Sequence, residues 1–377
     1  MLRYFLQRFM WVFIVLMAIL TITFVFLKLQ PEYPPTKYEE KKSWLVRQWQ
    51  DGFMTRLVIG PGYQPDPSQP PLSQQQVIAL QQTYVNDTTE RYFVVYTDEN
   101  PNNQNRTLWV FERVPIIIQY GEWLTNVVTE FNWGTSTRIR VNVPVTEILN
   151  NTFQYTIGIN LIVLLLQIPF GLVIGAVAAI KKDKLFDNIT SIVIMVFISL
   201  PSFVVIMLLM KWFGSDLSWL PYQWPPADSA LDQRILGYVI PVSSLALGGI
   251  AGLSRRVRAE LAEGLTQDFV LLARTKGLSK RQAIFRHALR LSLTPILPGI
   301  IFSFVGLLGG AGITERVYRI PGAGELFISA TIGGAPDYNI IMYDTAFFGF
   351  IGLFTAILID MSYGLIDPRI KMGASNG

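Results

Sequence analysis

Residues Tyr155 to Ile180 read YTIGINLIVLLLQIPFGLVIGAVAAI, a run without a single charged side chain. About 20 apolar residues in a helix cover the hydrocarbon core of a bilayer, so this run is long enough to cross one. Lipid offers backbone N–H and C=O groups no water, so each must be satisfied within the segment, which demands a helix. The composition agrees. Of 377 residues, 51% are hydrophobic and 15% charged, against about 25% charged in ordinary soluble domains. The mean hydropathy is +0.36.

Working outward, five further runs qualify or nearly qualify: Phe9 to Leu27, Asn188 to Met210, Ile235 to Leu253, Leu291 to Thr314, and Tyr338 to Ile359 with Asp344 inside it. The expectation is an all-α polytopic membrane protein with six transmembrane helices. Arg3 and Arg8 precede the first run as in a signal peptide, but the run is too long and lacks a small-residue cleavage site, which predicts an uncleaved helix. Orientation follows the Lys and Arg bias of short loops. With the N-terminus inside, the inner segments carry 16 basic residues and the short outer loops 4, namely Lys211, Arg234, Arg316 and Arg319. Both termini are therefore expected on the cytoplasmic side.

Residues 31–147 form a segment too long for that rule, with 10 basic and 13 acidic residues. Its length and polarity predict a folded extracytoplasmic insert of mixed α/β type. GPGYQPDPSQPP at Gly60 to Pro71 reads as irregular chain. Ser73 is positioned to cap a helix over Gln74 to Tyr84. The alternating, aromatic and β-branched stretches Arg91 to Thr97 and Arg106 to Ile118 flank DENPNNQN and predict a β-hairpin. Trp123, Phe131 and Trp133 suit a membrane interface. The division predicted is 1–30 for the N-terminus and first helix, 31–147 for the insert, 148–371 for a five-helix core and 372–377 for a tail.

Chemistry is narrowed by what the chain lacks. There is no Cys and one His, which excludes thiolate nucleophiles, Cys-ligated metals and His-cluster sites. No metal site and no catalytic residue are assigned. Tyr343-Asp344 and Asp360 suggest an intramembrane aspartyl pair, but 16 helical residues separate them by about 24 Å. Paired carboxylates must approach far more closely to share a proton.

The stretch Ser254 to Pro298, SRRVRAELAEGLTQDFVLLARTKGLSKRQAIFRHALRLSLTPILP, concentrates nine basic residues up to Arg290 against Glu260, Glu263 and Asp268. Basic charge beside a membrane is ordinarily a topology determinant held by anionic lipid. The order within it says more. Asp268 to Lys276 predicts a short helix with Phe269, Leu272 and Ala273 on one face, Gly277 a left-handed stop, and Ser279 the cap of a second helix toward Arg290. Such a knob suits a groove on a soluble partner.

Asp268-Phe269-Val270, Ala273-Arg274-Thr275-Lys276-Gly277-Leu278-Ser279, His287-Ala288-Leu289-Arg290 and Pro295 resemble the EAA loop of binding-protein-dependent ABC importer permeases, in their dipeptide, oligopeptide and nickel branch. Leu272 stands where the motif's naming Glu would be. Three other stretches are similar to that branch: Met1-Leu2-Arg3-Tyr4 with Gln7-Arg8, Thr314-Glu315 with Val317-Tyr318 and Pro321-Gly322-Ala323-Gly324, and Asp360-Met361-Ser362-Tyr363 with Asp367-Pro368-Arg369-Ile370. The resemblance spans Met1 to about Gln30 and Pro115 to Lys371. The insert, about 31–114, exceeds what it leads one to expect.

The resemblance implies a permease that forms half of a translocation path. It pairs with a second homologous permease, two ABC ATPase subunits and an extracytoplasmic substrate-binding protein in a bacterial or archaeal cell membrane. No Gly-Lys dipeptide occurs, so the chain has no P-loop. No cofactor is expected in this chain; ATP and Mg belong to the partners, and nucleic acid is not expected. Coupling is assigned to the loop 254–290, through Asp268, Ala273, Arg274, Lys276, Gly277 and Leu278. Asn160, Gln167 and Ser199 are candidate path residues or helix-to-helix hydrogen-bonding groups. Oligopeptides or dipeptides are the expected substrates. The alternatives are nickel or another small solute, for which one His and no Cys offer a poor ligand set, or a receptor or scaffold acting through the insert.

Overall fold

The computed structural model describes residues 2–29, 34–50, 52–87, 91–100, 103, 105–308, 311–332 and 336–366. Met1, part of the 97–106 turn, and the signature residues Asp367 to Ile370 lie outside them. The chain divides into two compact units, Met1–Leu20 with Thr146–Gly377, and Thr21–Val145. Helix α1 (Leu2–Leu29) contributes to both.

In the second unit a three-stranded antiparallel sheet lies between two helices. Its elements are α2 (Tyr38–Gln50), β1 (Met54–Ile59), α3 (Gln74–Val85), β2 (Tyr92–Tyr96) and β3 (Leu108–Arg113), in strand order β1-β3-β2. Side chains alternate across a strand, and here both faces are covered. Phe111, Val95 and Met54 pack with Leu45 of α2; Val110, Leu108 and Ile59 pack with Val77 of α3. β2 and β3 pair from Tyr92↔Glu112 to Tyr96↔Leu108, the antiparallel hairpin that the alternation predicts. Ser73 N–H donates to Gln76 Oε1 at 2.9 Å, closing the first turn of α3. The sequence reading missed α2 and β1.

Helix α4 (Ile116–Glu130) sets Tyr120 and Trp123 against Phe24, with ring centroids 5.4 and 5.5 Å away, and Trp133 stands 5.8 Å from Trp123. Both tryptophans are buried among aromatic rings, whereas Phe131 is exposed. Of the three aromatic residues assigned to a membrane interface, Trp123 and Trp133 are instead packed inside this unit.

The first unit is helical. Its elements are α5 (Val145–Ile180), α6 (Leu185–Ser199), α7 (Ser202–Leu209), a π-helical turn Met210–Asp216, α8 (Leu231–Leu236), α9 (Val239–Gly264), α10 (Asp268–Thr275), α11 (Lys280–Ala283), a second π turn Ile284–Ala288, α12 (Leu289–Leu293), α13 (Leu297–Leu308), α14 (Gly312–Tyr318), α15 (Ala323–Thr331) and α16 (Tyr338–Ile366). Among the described residues four helices are long and apolar enough to cross a membrane, or five if one bent pair counts as a span. That pair is α6 and α7, which meet at 99°. The expected single span from Asn188 to Met210 is therefore broken. Pro201 has no N–H for the helical ladder and its ring clashes with the preceding turn. The expected span from Leu291 to Thr314 is divided among α12, α13 and α14, and α13 itself covers about 18 Å.

Small residues set the close contacts. A Cβ at Gly171 would stand 2.7 Å from Leu253 Cδ2 of α9, and one at Gly175 2.6 Å from the Ser254 carbonyl oxygen. Ser254 Oγ donates across the same contact to the Gly171 carbonyl at 3.2 Å. α5 and α9 thus meet almost backbone to backbone.

Candidate functional site

The predicted knob grows from the end of α9. Leu261 and Ala262 of α9 pack with Ala179, Val270, Ala273, Ala283 and Ala288. Five alanines in one cluster bring short helices close together. Ser292 Oγ donates to the Glu260 carbonyl at 3.1 Å, and a Cβ at Gly264 would lie 2.6 Å from Ser292 Oγ. The knob is therefore packed onto α9 rather than hung from it.

Gly277 has φ +90°. Leu278 N–H donates to the Ala273 carbonyl at 3.3 Å, and Gly277 N–H to the Arg274 carbonyl at 3.0 Å. These are the two bonds of a Schellman stop, with glycine at the left-handed position. Leu278 packs on the cluster that contains Ala273, which supplies the motif's apolar contact. The next helix opens at Ser279, whose Oγ accepts from Gln282 N–H at 3.3 Å, while Ser279 N–H donates to Gln282 Oε1 at 3.0 Å.

This geometry separates the six coupling candidates. Ala273, Gly277 and Leu278 build the turn: Ala273 is 7% exposed, so its small size serves packing inside the knob and not close approach to a partner. Asp268, Arg274 and Lys276 are exposed, and among the described residues their side chains make no hydrogen bond or ion pair. Leu272 is a correction. It is 56% exposed, and the buried face of α10 is formed by Val270 and Ala273 with Phe269 beside them. Leu271 at 64% and Phe285 at 61% are also exposed. The sequence reading missed both; the signal was the three-residue spacing of Val270 and Ala273, which turns Leu271 outward. A groove of about 590 Å³ runs beside the turn, lined by Leu271, Arg274, Thr275, Leu278, Lys280 and Gln282. Its lining is mostly polar, with Arg274 and Lys280 supplying positive charge beside Leu271 and Leu278.

A second feature fixes the same end of the unit. Asp187 of α6 is buried and takes a two-pronged bond from Arg258 of α9: Nε reaches Oδ1, and Nη2 reaches Oδ2 at 2.7 Å. Asp183 N–H also donates to Asp187 Oδ2, at 2.9 Å. The fork of Arg matches a carboxylate in two bonds, so the α5–α6 turn is tied to α9.

At the far end of α9, the Thr314-Glu315 and Pro321-Gly322-Ala323-Gly324 stretches meet. Glu315 Oε1 accepts from Thr156 Oγ1 at 2.9 Å, and Oε2 from Glu325 N–H at 3.0 Å. Ala323 N–H donates to Thr156 Oγ1 at 2.9 Å. A buried carboxylate thus holds the open N–H groups at the start of α15, where the helix dipole favours negative charge. A Cβ at Gly322 would stand 2.5 Å from Glu315 Cδ and 2.7 Å from Thr156 Oγ1.

Of the path candidates, Asn160 and Gln167 are buried, the latter against Gly249 of α9, and Ser199 is exposed beside the α6–α7 bend. Asp360 reaches Arg8 at 3.1 Å. Asp344 is buried, 4% exposed, and among the described residues its Oδ1 has no hydrogen-bond partner.

Among the described residues, four or five helices long and apolar enough to cross a bilayer define a multi-pass membrane protein. Residues 171–372 match the model of the binding-protein-dependent transport system inner membrane component family. The dipeptide transport system permease protein DppB of Bacillus subtilis is 31% identical over 258 residues, covering 68% of this chain and 80% of that one. The oligopeptide transport system permease protein OppB of Salmonella typhimurium is 31% identical over 258 residues, covering 68% and 81%. A chain of the inward-facing MetNI methionine ABC transporter overlays with a TM-score of 0.46 at 12% identity, covering 59% of this chain and 97% of that one. The chain belongs to the binding-protein-dependent inner membrane component family: it is a multi-pass permease subunit of an ABC importer, and not an enzyme.

Proposed function

We propose that this permease carries short peptides, dipeptides or oligopeptides, into a bacterial or archaeal cell. It forms half of the path beside a second homologous permease. Two ATPase subunits hydrolyse Mg-ATP on the cytoplasmic side, and an extracytoplasmic binding protein delivers the substrate. Both termini and the knob face the cytoplasm, six spans cross the membrane with α12–α14 forming the interrupted fifth, and residues 31–147 are an external insert. Ser199 at the α6–α7 bend is the first path candidate to probe; Asn160 and Gln167 support helix packing.

The observation that carries this reading is the closed knob, which exposes Leu271, Leu272 and Phe285 and carries a basic groove at Leu271. Three large apolar side chains on a charged projection favour a partner. ATP-driven closure of that partner would tilt α9 through the knob, a rigid-body switch between two states. The peptide assignment is supported by the named substrates of the relatives. The test is co-expression with candidate ATPases and a second permease. The parent chain is expected to bring down both. Leu271→Asp with Phe285→Asp is expected to lose the ATPases, keep the second permease and abolish peptide uptake. A parent chain that takes up no peptide with its full set of partners would overturn the substrate, and retention of the ATPases by the double variant would overturn the docking surface.

A further inference from the structure

At the end of α9 opposite the knob lies a cleft of about 450 Å³, within the roughly 300–1,000 Å³ usual for small-molecule sites. Its walls include the rings of Tyr155, Trp224 and Tyr238. Trp224 stands edge-on to both others, with centroids 5.8 Å from Tyr155 and 4.9 Å from Tyr238. Arg234 and Arg319 also line it, among prolines and aliphatic side chains. Among the described residues neither guanidinium makes a hydrogen bond, ion pair or ring contact.

The cleft is held in shape by its backbone. Trp224 N–H donates to the Tyr318 carbonyl at 2.8 Å, and buried Tyr318 Oη donates to the Pro221 carbonyl at 2.8 Å. Gly237 lets Pro225 approach: a Cβ there would lie 2.7 Å from Pro225 Cγ. Arg319 stands in the left-handed region at φ 59°. It closes α14 with Ile320 N–H donating to the Glu315 carbonyl at 2.8 Å and its own N–H to the Arg316 carbonyl at 3.3 Å. That closure favours glycine. Arginine there carries a backbone strain that glycine would not, as Phe131 does at the close of α4.

We infer that this cleft binds the C-terminal carboxylate of a short peptide, with Arg234 and Arg319 holding the carboxylate and the aromatic wall taking the terminal side chain. Guanidinium groups pair with carboxylates in planar, two-bond geometry, and ring walls favour an apolar or aromatic last residue. The inference rests on the peptide reading and adds to it a recognition site within the permease itself.

The test uses the assembled transporter in phosphatidylcholine nanodiscs without its binding protein. A tripeptide ending in phenylalanine is titrated as the free acid and as the C-terminal amide, by calorimetry. The acid is expected to bind at least about tenfold more tightly than the amide, the worth of a charge-assisted pair. Arg234→Gln and Arg319→Gln should each weaken the acid about tenfold and leave the amide unchanged. Arg319→Gly keeps the favoured backbone at that position, so it should raise the unfolding temperature while losing the acid preference. Equal binding of acid and amide overturns the inference. So does absence of peptide binding, even where the arginine variants impair docking of the binding protein or of anionic lipid. If the parent complex still takes up peptide with its binding protein, the peptide reading stands without this site; if it takes up none, both fall.

Discussion

Gly277 is constrained by its backbone alone. Its φ of +90° is open to glycine at no cost, while nothing lies within 4 Å of the place a Cβ would occupy. Substitution is therefore limited by backbone conformation and not by space. Asn adopts the left-handed region readily; a β-branched side chain does not. Gly277→Asn is expected to keep the ATPases through purification, whereas Gly277→Val loses them with the chain still membrane-inserted. Equal behaviour of the two variants in a pull-down would show that the left-handed turn is not what matters there. This residue was legible in the sequence because its surroundings are local: a helix before it, a cap after it, and basic charge around it. Asp187 was not legible. Its partner Arg258 lies 71 positions away, and nothing in local spacing announces the pair. Ala273 was legible as small, but its contact could not be assigned, since a small residue serves internal packing and external docking equally well.

Among elements, α14 and α15 are joined by one buried carboxylate and the glycines that admit it. Gly322 touches Glu315 and Thr156 so closely that a methyl group must displace one of them. Gly322→Ala is expected to lower stability by about 1–3 kcal/mol, the range for overpacking. Gly252→Ala, in the interior of α9 where nothing lies within 4 Å, should keep or slightly raise the unfolding midpoint in detergent, because Ala is the better helix former. A midpoint for Gly322→Ala that matches Gly252→Ala would contradict the packing argument. Hydrophobic runs gave α1, α5, α9 and α16 because long, predominantly apolar stretches have one solution in lipid. They did not give the 99° bend between α6 and α7. Pro201 was visible, but proline permits a kink without setting its angle; packing against neighbouring helices sets it. The stretch from Leu291 to Thr314 is as apolar as the others, yet it divides into three helices. Apolarity alone does not say where a helix must run unbroken.

For the molecule as a whole, the basic residues cluster at the end of α9 that carries the knob, and the apolar cleft with its two arginines lies at the other end. One helix of 26 residues, about 39 Å long, joins them. On the proposed coupling, a tilt driven at the knob would reach the α14–α15 junction and the cleft through α9, which packs on α14 as well as on α6, α7 and α12. The insert's sheet was legible where strands alternate, as in β2 and β3. It was hidden in β1, whose six residues carry polar Thr55 and Arg56 beside apolar neighbours and whose register depends on distant β3, from Met54↔Arg113 to Ile59↔Leu108.

The absence of cysteine makes the central claim directly measurable. Single cysteines at Leu271→Cys and Phe285→Cys on the knob, and at exposed Val85→Cys in the insert as a control, are reacted with a bulky maleimide. Rates are compared for the permease pair alone and for the pair assembled with its ATPases. Knob coupling predicts that assembly slows the reaction at 271 and 285 by at least about tenfold, as expected where interface cores exclude solvent, and leaves 85 unchanged. Unaltered rates at 271 and 285 in a complex that retains its ATPases would contradict the account and place coupling elsewhere.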